Sequence, residues 1–403
     1  TALHDHCGAW TRPAKLPCAS PTRRARVRFP EHLLLGNDAG GAEMFSGYVN
    51  VTSEDFLFYL LAETQPGVPP DAPLIVWSGG GPGYTAMEAA TIDTGPLVLF
   101  DVRQGTSMST RRLSRNPYAW NRLAPVLYVD QPRYVGFSCG TGPPVASSRD
   151  AGRDMVAFLR GWRELFPEHA RRPLIFASEA YGAHLAAAWA DAVLDFNAGV
   201  AQHGEAPLPL RGMALSGALL NSTLQGGASE EEFFRRHDLV PPGSPTPRAL
   251  WEGRAQMSKK LGYYPNVYDY RLKNQECCGC TSYNYQVWAD WLAMPSVTSA
   301  LHACGTAGAA SLADCSAGCV ALPAFDAGGE PETLRRLGRA LGEGVAVTLV
   351  HGMYDVAANY VGAYAAAQAL EWSGAEDFRS RPLEDLEVQG IVMGRTKAAG
   401  GLS

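Results

Sequence analysis

Residues 174 to 188 read Leu-Ile-Phe-Ala-Ser-Glu-Ala-Tyr-Gly-Ala-His-Leu-Ala-Ala-Ala: a short apolar run, a tight turn, then an alanine-rich stretch of helical character. A strand that turns abruptly into a helix strains the turn. It holds one side chain above the sheet edge, beside backbone N–H groups and a helix N-terminus that can stabilise an oxyanion. At the apex stands Ala180, which carries no nucleophilic atom. Ser178 lies two residues earlier and is expected on the strand, not at the bend.

Working outward, Leu74-Ile75-Val76-Trp77, Val126-Leu127-Tyr128-Val129, Leu210 to Leu215 and Val345 to Val350 are fully apolar or nearly so, as strands buried in a parallel sheet are. Helical periods fall at 149 to 166, from Tyr181 to about Asp195, and from Tyr360 to Trp372. This alternation predicts a mostly parallel sheet with helices on both faces. Ahead of it, Phe45 to Val51 and Phe56 to Leu61 flank a polar Ser53-Glu54-Asp55 turn and predict an antiparallel hairpin. The expected organisation is an extended arm at 1–30, a first core part at 31–225, an inserted lobe at 226–340 and a second core part at 341–403. The lobe would roof the carboxyl edge of the sheet, where ligands bind in such folds.

The chain has 403 residues, 46% hydrophobic and 18% charged, with a formal net charge of −6. That composition fits a compact globular protein and gives no reason to expect a nucleic-acid partner. The basic run from Arg23 to Arg28 reads as an ordinary solvated face. No apolar stretch reaches the ~18 residues a transmembrane helix needs. The chain opens on Thr1, so a targeting segment ahead of it is an open expectation. Six of the nine cysteines (Cys277, Cys278, Cys280, Cys304, Cys315 and Cys319) cluster and predict a disulfide-stapled lobe, with zinc ligation as the rival. A Cys7–Cys18 pair would leave Cys139 as the odd thiol. The sequons at Asn50 and Asn221 agree with an oxidising, secretory compartment.

Strand 74–77 runs into Ser78-Gly79-Gly80-Gly81-Pro82-Gly83, glycines that allow close backbone approach to a ligand and aim N–H groups at an anion. No Gly-Lys-Ser/Thr follows, which argues against a phosphate loop. Together with Asp93-Thr94-Gly95-Pro96, Asn116-Pro117-Tyr118-Ala119-Trp120-Asn121, Asp130-Gln131-Pro132 with Gly136-Phe137-Ser138, Ser178 to Gly182, and Gly352 to Asp355, this segment resembles the ordered motifs of the serine carboxypeptidases, enzymes of the α/β-hydrolase fold. The similarity runs from about Phe45 to the C-terminus.

The resemblance implies roles. Ala180 takes the nucleophile position, Asp355 would orient a triad histidine, and the N–H groups of Gly81 and Tyr181 would form the oxyanion hole. Gly79, Gly80, Asp93 and Glu179 occupy positions that grip the substrate's terminal carboxylate, the two acids being protonated in acid. No cofactor or metal is implied. The departures set the functional expectation. Alanine cannot attack a carbonyl, and no histidine follows His351; by the resemblance, the fold's final strand and helix are expected to be missing from the sequence. Gly79 stands for an asparagine, Tyr134 for a glycine near the site, and Tyr84 for a cysteine. His184 and His351 read as structural histidines. The sequence therefore predicts a catalytically inactive relative serving as a binding or structural subunit, with a protein partner or larger assembly. An active carboxypeptidase acting on peptide C-termini and recorded with Ser→Ala is the alternative, and an acyltransferase the second.

Overall fold

The computed structural model describes residues 21–35, 43–99, 111–247, 250–274, 286–304, 325–326 and 332–403. Thirteen strands are described: β1 (Ala25–Arg26), β2 (Met44–Asn50), β3 (Asp55–Ala62), β4 (Leu74–Ser78), β5 (Leu97–Leu99), β6 (Leu113–Arg115), β7 (Val126–Val129), β8 (Cys139–Gly140), β9 (Leu174–Glu179), β10 (Leu210–Ser216), β11 (Ala346–Val350), β12 (Glu384–Val388) and β13 (Ile391–Thr396). Nine form one sheet in the order β1-β2-β3-β7-β4-β9-β10-β11, with β8 beside β3. From β7 to β11 every neighbour is parallel, while the β1-β2-β3-β7 side is antiparallel. This is the mostly parallel sheet the alternation of elements predicts, in the α/β-hydrolase arrangement the resemblance implies. Beyond β11, the N–H of Val347 donates to Gly401 O (2.8 Å) and that of Leu349 to Ser403 O (2.7 Å), extending the parallel ladder.

Pleating sorts the strands' side chains into two cores. Leu57, Tyr59, Leu61, Val76, Leu127, Val129 and Phe176 face the helices Ser148–Leu165 and Gly182–His203, which bring Met155, Phe158, Trp162 and Trp189. Phe58, Leu60, Ile75, Trp77 and Tyr128 point the other way, onto Trp288 and Trp291 of the helix Gln286–Leu292. Residues 286–292 thus supply one wall of the core. Helix Thr333–Gly342 returns to the first face and packs on Gly182–His203. The helix Tyr360–Gln368 ends earlier, and Gly182–His203 later, than periodicity predicts.

The residues ahead of the hairpin are more than a solvated run. Ala25–Arg26 pairs antiparallel with Ser46 and Phe45, and a Cβ on Gly47 would lie 2.3 Å from Arg23 O, so only glycine lets the segment cross there. Arg24 lies 4.0 Å over the Phe166 ring and pairs with Glu168 at 2.8 Å, a cation packed on an aromatic. The odd-thiol reading of Cys139 is corrected: it is disulfide-bonded, and of the predicted cluster Cys304 is a free thiol. Cys7, Cys18, Cys277, Cys278, Cys280, Cys315 and Cys319 lie outside the described residues. Among the described residues no helix is long and apolar enough to cross a membrane, and no group of three or more His, Cys, Asp or Glu is placed to hold a metal.

Candidate active site

The bend after β9 has the strain its sequence implies. Ala180 adopts φ 47°, a left-handed conformation that costs a residue with a Cβ about 1–2 kcal/mol. The sheet holds it there: its N–H donates to Ser216 O (3.0 Å) at the end of β10, and its carbonyl accepts from Leu219 (3.0 Å). The helix Gly182–His203 starts two residues on. Gly182 sits tightly against the strand that feeds it, since a Cβ there would be 2.8 Å from Ser178 Cβ and 3.0 Å from Gly79 O. Ser178 is on β9 and fully buried, with its Oγ making no hydrogen bond, so it is not presented at the bend.

The glycine loop lies directly on this bend. A Cβ added to Gly80 would be 3.2 Å from Ala180 Cβ and 3.5 Å from Tyr181 N, and Gly81 has φ 112°. Gly79 backs onto Tyr84 O, 2.9 Å from where its Cβ would stand. Asp130, fully buried at the end of β7, anchors the far end of the loop. Its Oδ1 accepts from Thr85 Oγ1 (2.5 Å) and Ala86 N (2.8 Å), and its Oδ2 from Phe137 N (2.8 Å). Burial pushes this carboxyl up to about 6 despite those donors.

Glu179 is half-buried, and burial first, then the charge of Asp93, raises its pKa well above the ordinary carboxylate range. Asp93 closes a π-helical turn, Ala89–Asp93, and its carbonyl accepts from Asn116 Nδ2 at 2.7 Å. Gly95 is obligatory there, because a Cβ would fall 1.7 Å from Ala90 O. Tyr84 lies within electrostatic reach of Glu179: burial, then the charges of Glu88 and Glu179, push its phenol up to about 12.

Asp355 sits in the turn after β11. Its Oδ1 accepts from Ala358 N at 3.0 Å, and burial lifts it to about 6. It is close to the bend through Gly217, whose added Cβ would be 3.7 Å from Asp355 Oδ2, and which directly follows the Ser216 carbonyl that holds Ala180. The structure thus gathers Ala180, Tyr181, Gly79, Gly80, Gly81, Glu179, Asp93 and Asp355 at the carboxyl ends of β4, β9, β10 and β11.

Two histidines nearby are held elsewhere. His184 Nδ1 bonds Thr333 Oγ1 (2.5 Å), its ring stands edge-on to Tyr181 (4.6 Å), and burial lowers it to about 4. His351 Nδ1 donates to Ala358 O (3.2 Å). Tyr181 Oη donates to Asp326 Oδ2 (2.6 Å), tying the bend to the returning lobe segment. Trp77 packs edge-on against Trp120 (5.2 Å). The expectation that Tyr134 alters the site is corrected. Its hydroxyl donates to Gly142 O (2.6 Å) and Asp55 Oδ1 (3.0 Å), within a buried Asp55–Arg133–Asp154 network, and its φ of 71° explains why glycine suits that position.

Sequence reasoning missed Tyr268. It belongs to a strap, 264–274, that docks on the aspartate turn: Val356 N and Ala357 N donate to Val267 O at 2.9 and 3.2 Å, and Tyr270 N to Tyr354 O at 3.2 Å. Burial, then the charges of Tyr84, Glu88, Glu179 and Asp355, raises the Tyr268 phenol, so it stands among the site carboxylates although 43% of the residue is exposed. The only hint in the sequence is the density of tyrosines at 263–270.

A family model described as serine carboxypeptidase matches residues 36–244 and 253–403. Carboxypeptidase Y homolog A of Trichophyton tonsurans is 27% identical over 413 residues, 94% of this chain and 72% of that protein. The homologue from Uncinocarpus reesii is 26% identical over 414 residues, with the same coverage of 94% and 72%. Among solved structures, Kex1Δp, a prohormone-processing carboxypeptidase from Saccharomyces cerevisiae, superposes with a TM-score of 0.68 at 18% identity, covering 94% of this chain and 89% of that one.

Proposed function

Because the chain belongs to the serine carboxypeptidase family, we propose that it keeps the family's cleft as a binding or structural module and does not hydrolyse peptides. The observation that carries this reading is a methyl group at the apex of an intact, strained bend. Losing the triad serine costs roughly 10⁶-fold in turnover, so binding would survive where catalysis does not.

In this reading Ala180 occupies the nucleophile's place without its oxygen, and Asp355 has the position from which a triad histidine would be oriented. Gly81 and Tyr181 would offer their N–H groups to an oxyanion. Gly79, Gly80, Asp93 and Glu179 would receive a ligand's terminal carboxylate, the ligand being a peptide C-terminus or the chain end of a protein partner in a larger assembly. A raised Glu179 is protonated in mild acid and can then donate to a carboxylate, while its ionised form repels one. The compartment that fits is an oxidising lumen of the secretory route, in keeping with the half-cystine at Cys139 and a solvent-exposed sequon at Asn50.

The test is to incubate the chain with N-blocked dipeptides and longer peptides from acid to neutral pH. No C-terminal residue should be released, while peptides with a free carboxylate bind saturably, more tightly in acid, and their C-terminal amides bind weakly. Release of C-terminal amino acids above the uncatalysed rate would sink the proposal. The retained strain at Ala180 favours one further reading, a carboxypeptidase or acyltransferase recorded with Ser→Ala and without its triad histidine. Hydrolysis, or acyl transfer to an added alcohol, would then return only when a serine at 180 and a histidine facing Asp355 are both restored.

A further inference from the structure

Away from the cleft, the helices Ser148–Leu165, Gly182–His203 and Thr333–Gly342 border an open pocket of about 250 Å³ lined by Arg149, Arg153, Ala188, Asp191, Asp195 and Arg336. The first two helices touch beside it: a Cβ on Gly152 would lie 2.6 Å from Ala188 O. The gap therefore opens where small residues give way to arginines. Arg336 is only 6% exposed, yet its Nε and Nη1 make no hydrogen bond. Its nearest carboxylates, Asp191 at 3.7 Å from Nε and Glu332 at 3.9 Å from Nη2, are beyond hydrogen-bond reach.

The acids around the pocket are already engaged. Arg339 holds Asp191 at 2.6 Å and Asp195 at 2.7 Å, Arg335 holds Glu332 at 2.7 Å, and Asp150 meets Arg153 at 3.1 Å on the exposed side. What remains at the same pocket is a buried guanidinium with two unmet donors and the exposed guanidinium of Arg149, with Arg153 shared with Asp150. Leaving buried charged donors unmade costs the fold their full desolvation, a cost that a bound oxyanion removes. Planar guanidinium forks match tetrahedral oxyanions with paired hydrogen bonds, the geometry by which arginine recognises phosphate. We infer that this three-helix pocket is a binding site for a small phosphate-bearing anion, inorganic phosphate or a phosphomonoester, held by Arg336, Arg153 and Arg149. The site is independent of the cleft and of what the cleft does.

The experiment is calorimetric titration of the full chain with inorganic phosphate and, in a second arm, with O-phosphoserine, both against chloride at matched ionic strength. Saturable one-to-one binding is expected in at least one arm, and the pair tells a free ion from a monoester. Arg149→Ala/Arg153→Ala, which alters exposed side chains, should weaken binding roughly tenfold or more. Arg336→Lys, which keeps the charge but loses the fork, should also weaken it, and Arg235→Ala, on an exposed face elsewhere, should leave it unchanged. If Arg336→Lys does not fold, the exposed pair still decides. Heats no greater than those of chloride in both arms, or full affinity in Arg149→Ala/Arg153→Ala, would overturn the inference.

Discussion

The bend at Ala180 and the turn at Asp355 are both strand-to-helix connections, at the carboxyl ends of β9 and β11, and each approaches Gly217 from its own side. They are held by different physics. The Asp355 turn is locally self-consistent: its carboxylate accepts from Ala358 N, as an aspartate does in many turns whatever lies nearby. The Ala180 bend has no such local reason, since alanine gains nothing from φ 47° and the conformation is imposed by Ser216 O and Leu219 N. A backbone held by its neighbours keeps its conformation whatever side chain it carries, whereas a side chain that satisfies its own turn says little about chemistry.

The largest test of that contrast is steric. Gly182→Val should destabilise the fold by roughly 2–4 kcal/mol, because the added atoms meet Ser178 and the Gly79 carbonyl where nothing can retreat. Thermal or denaturant unfolding measures it, and a loss below ~1 kcal/mol would mean that the bend is not tightly held.

Next comes the pH dependence of the aspartate turn. The folded-state pKa of Asp355, about 6, lies above its unfolded value, so its contribution is intact below about pH 4 and is lost as pH rises through 6. Asp355→Asn keeps the acceptor for Ala358 and removes the charge. It should raise stability by about 1–2 kcal/mol at pH 7 and change nothing at pH 4. Equal effects at both values would contradict burial as the cause. Glu179→Gln tests the same sign in the cleft: ligand affinity that declines from acid to neutral pH in the unaltered chain should become nearly flat in the variant.

The smallest effect is expected at the apex itself. Ala180→Gly relieves the left-handed strain but enlarges the unfolded ensemble, for a net gain of about 0.5–1 kcal/mol. A comparable loss would show that the alanine methyl packs usefully where a nucleophile would stand.

Most of the core was legible beforehand, because apolar runs, glycine turns and helical periods are local signals, while the site residues were named from the resemblance alone. Leu74 to Ser78 and Leu174 to Glu179 could hardly be anything but buried strands. The reading failed where long-range contacts decide. Tyr134 turned out to serve Asp55 and Gly142, because no spacing rule connects positions 79 and 8 residues apart. Tyr268 reaches the carboxylates only because the strap bonds to the aspartate turn across the fold.

By itself, then, the sequence determined a mostly parallel sheet covered by helices and a bend that ends in a methyl group, since apolar runs and periodicity act on neighbouring residues, while the α/β-hydrolase fold followed from the resemblance of its ordered motifs to the serine carboxypeptidases. Which charges meet, which tyrosine-bearing strap docks on the aspartate turn and which arginine is buried with its donors unmet were decided only by tertiary structure. Those outcomes depend on distances between residues far apart along the chain, and electrostatics and desolvation act through space.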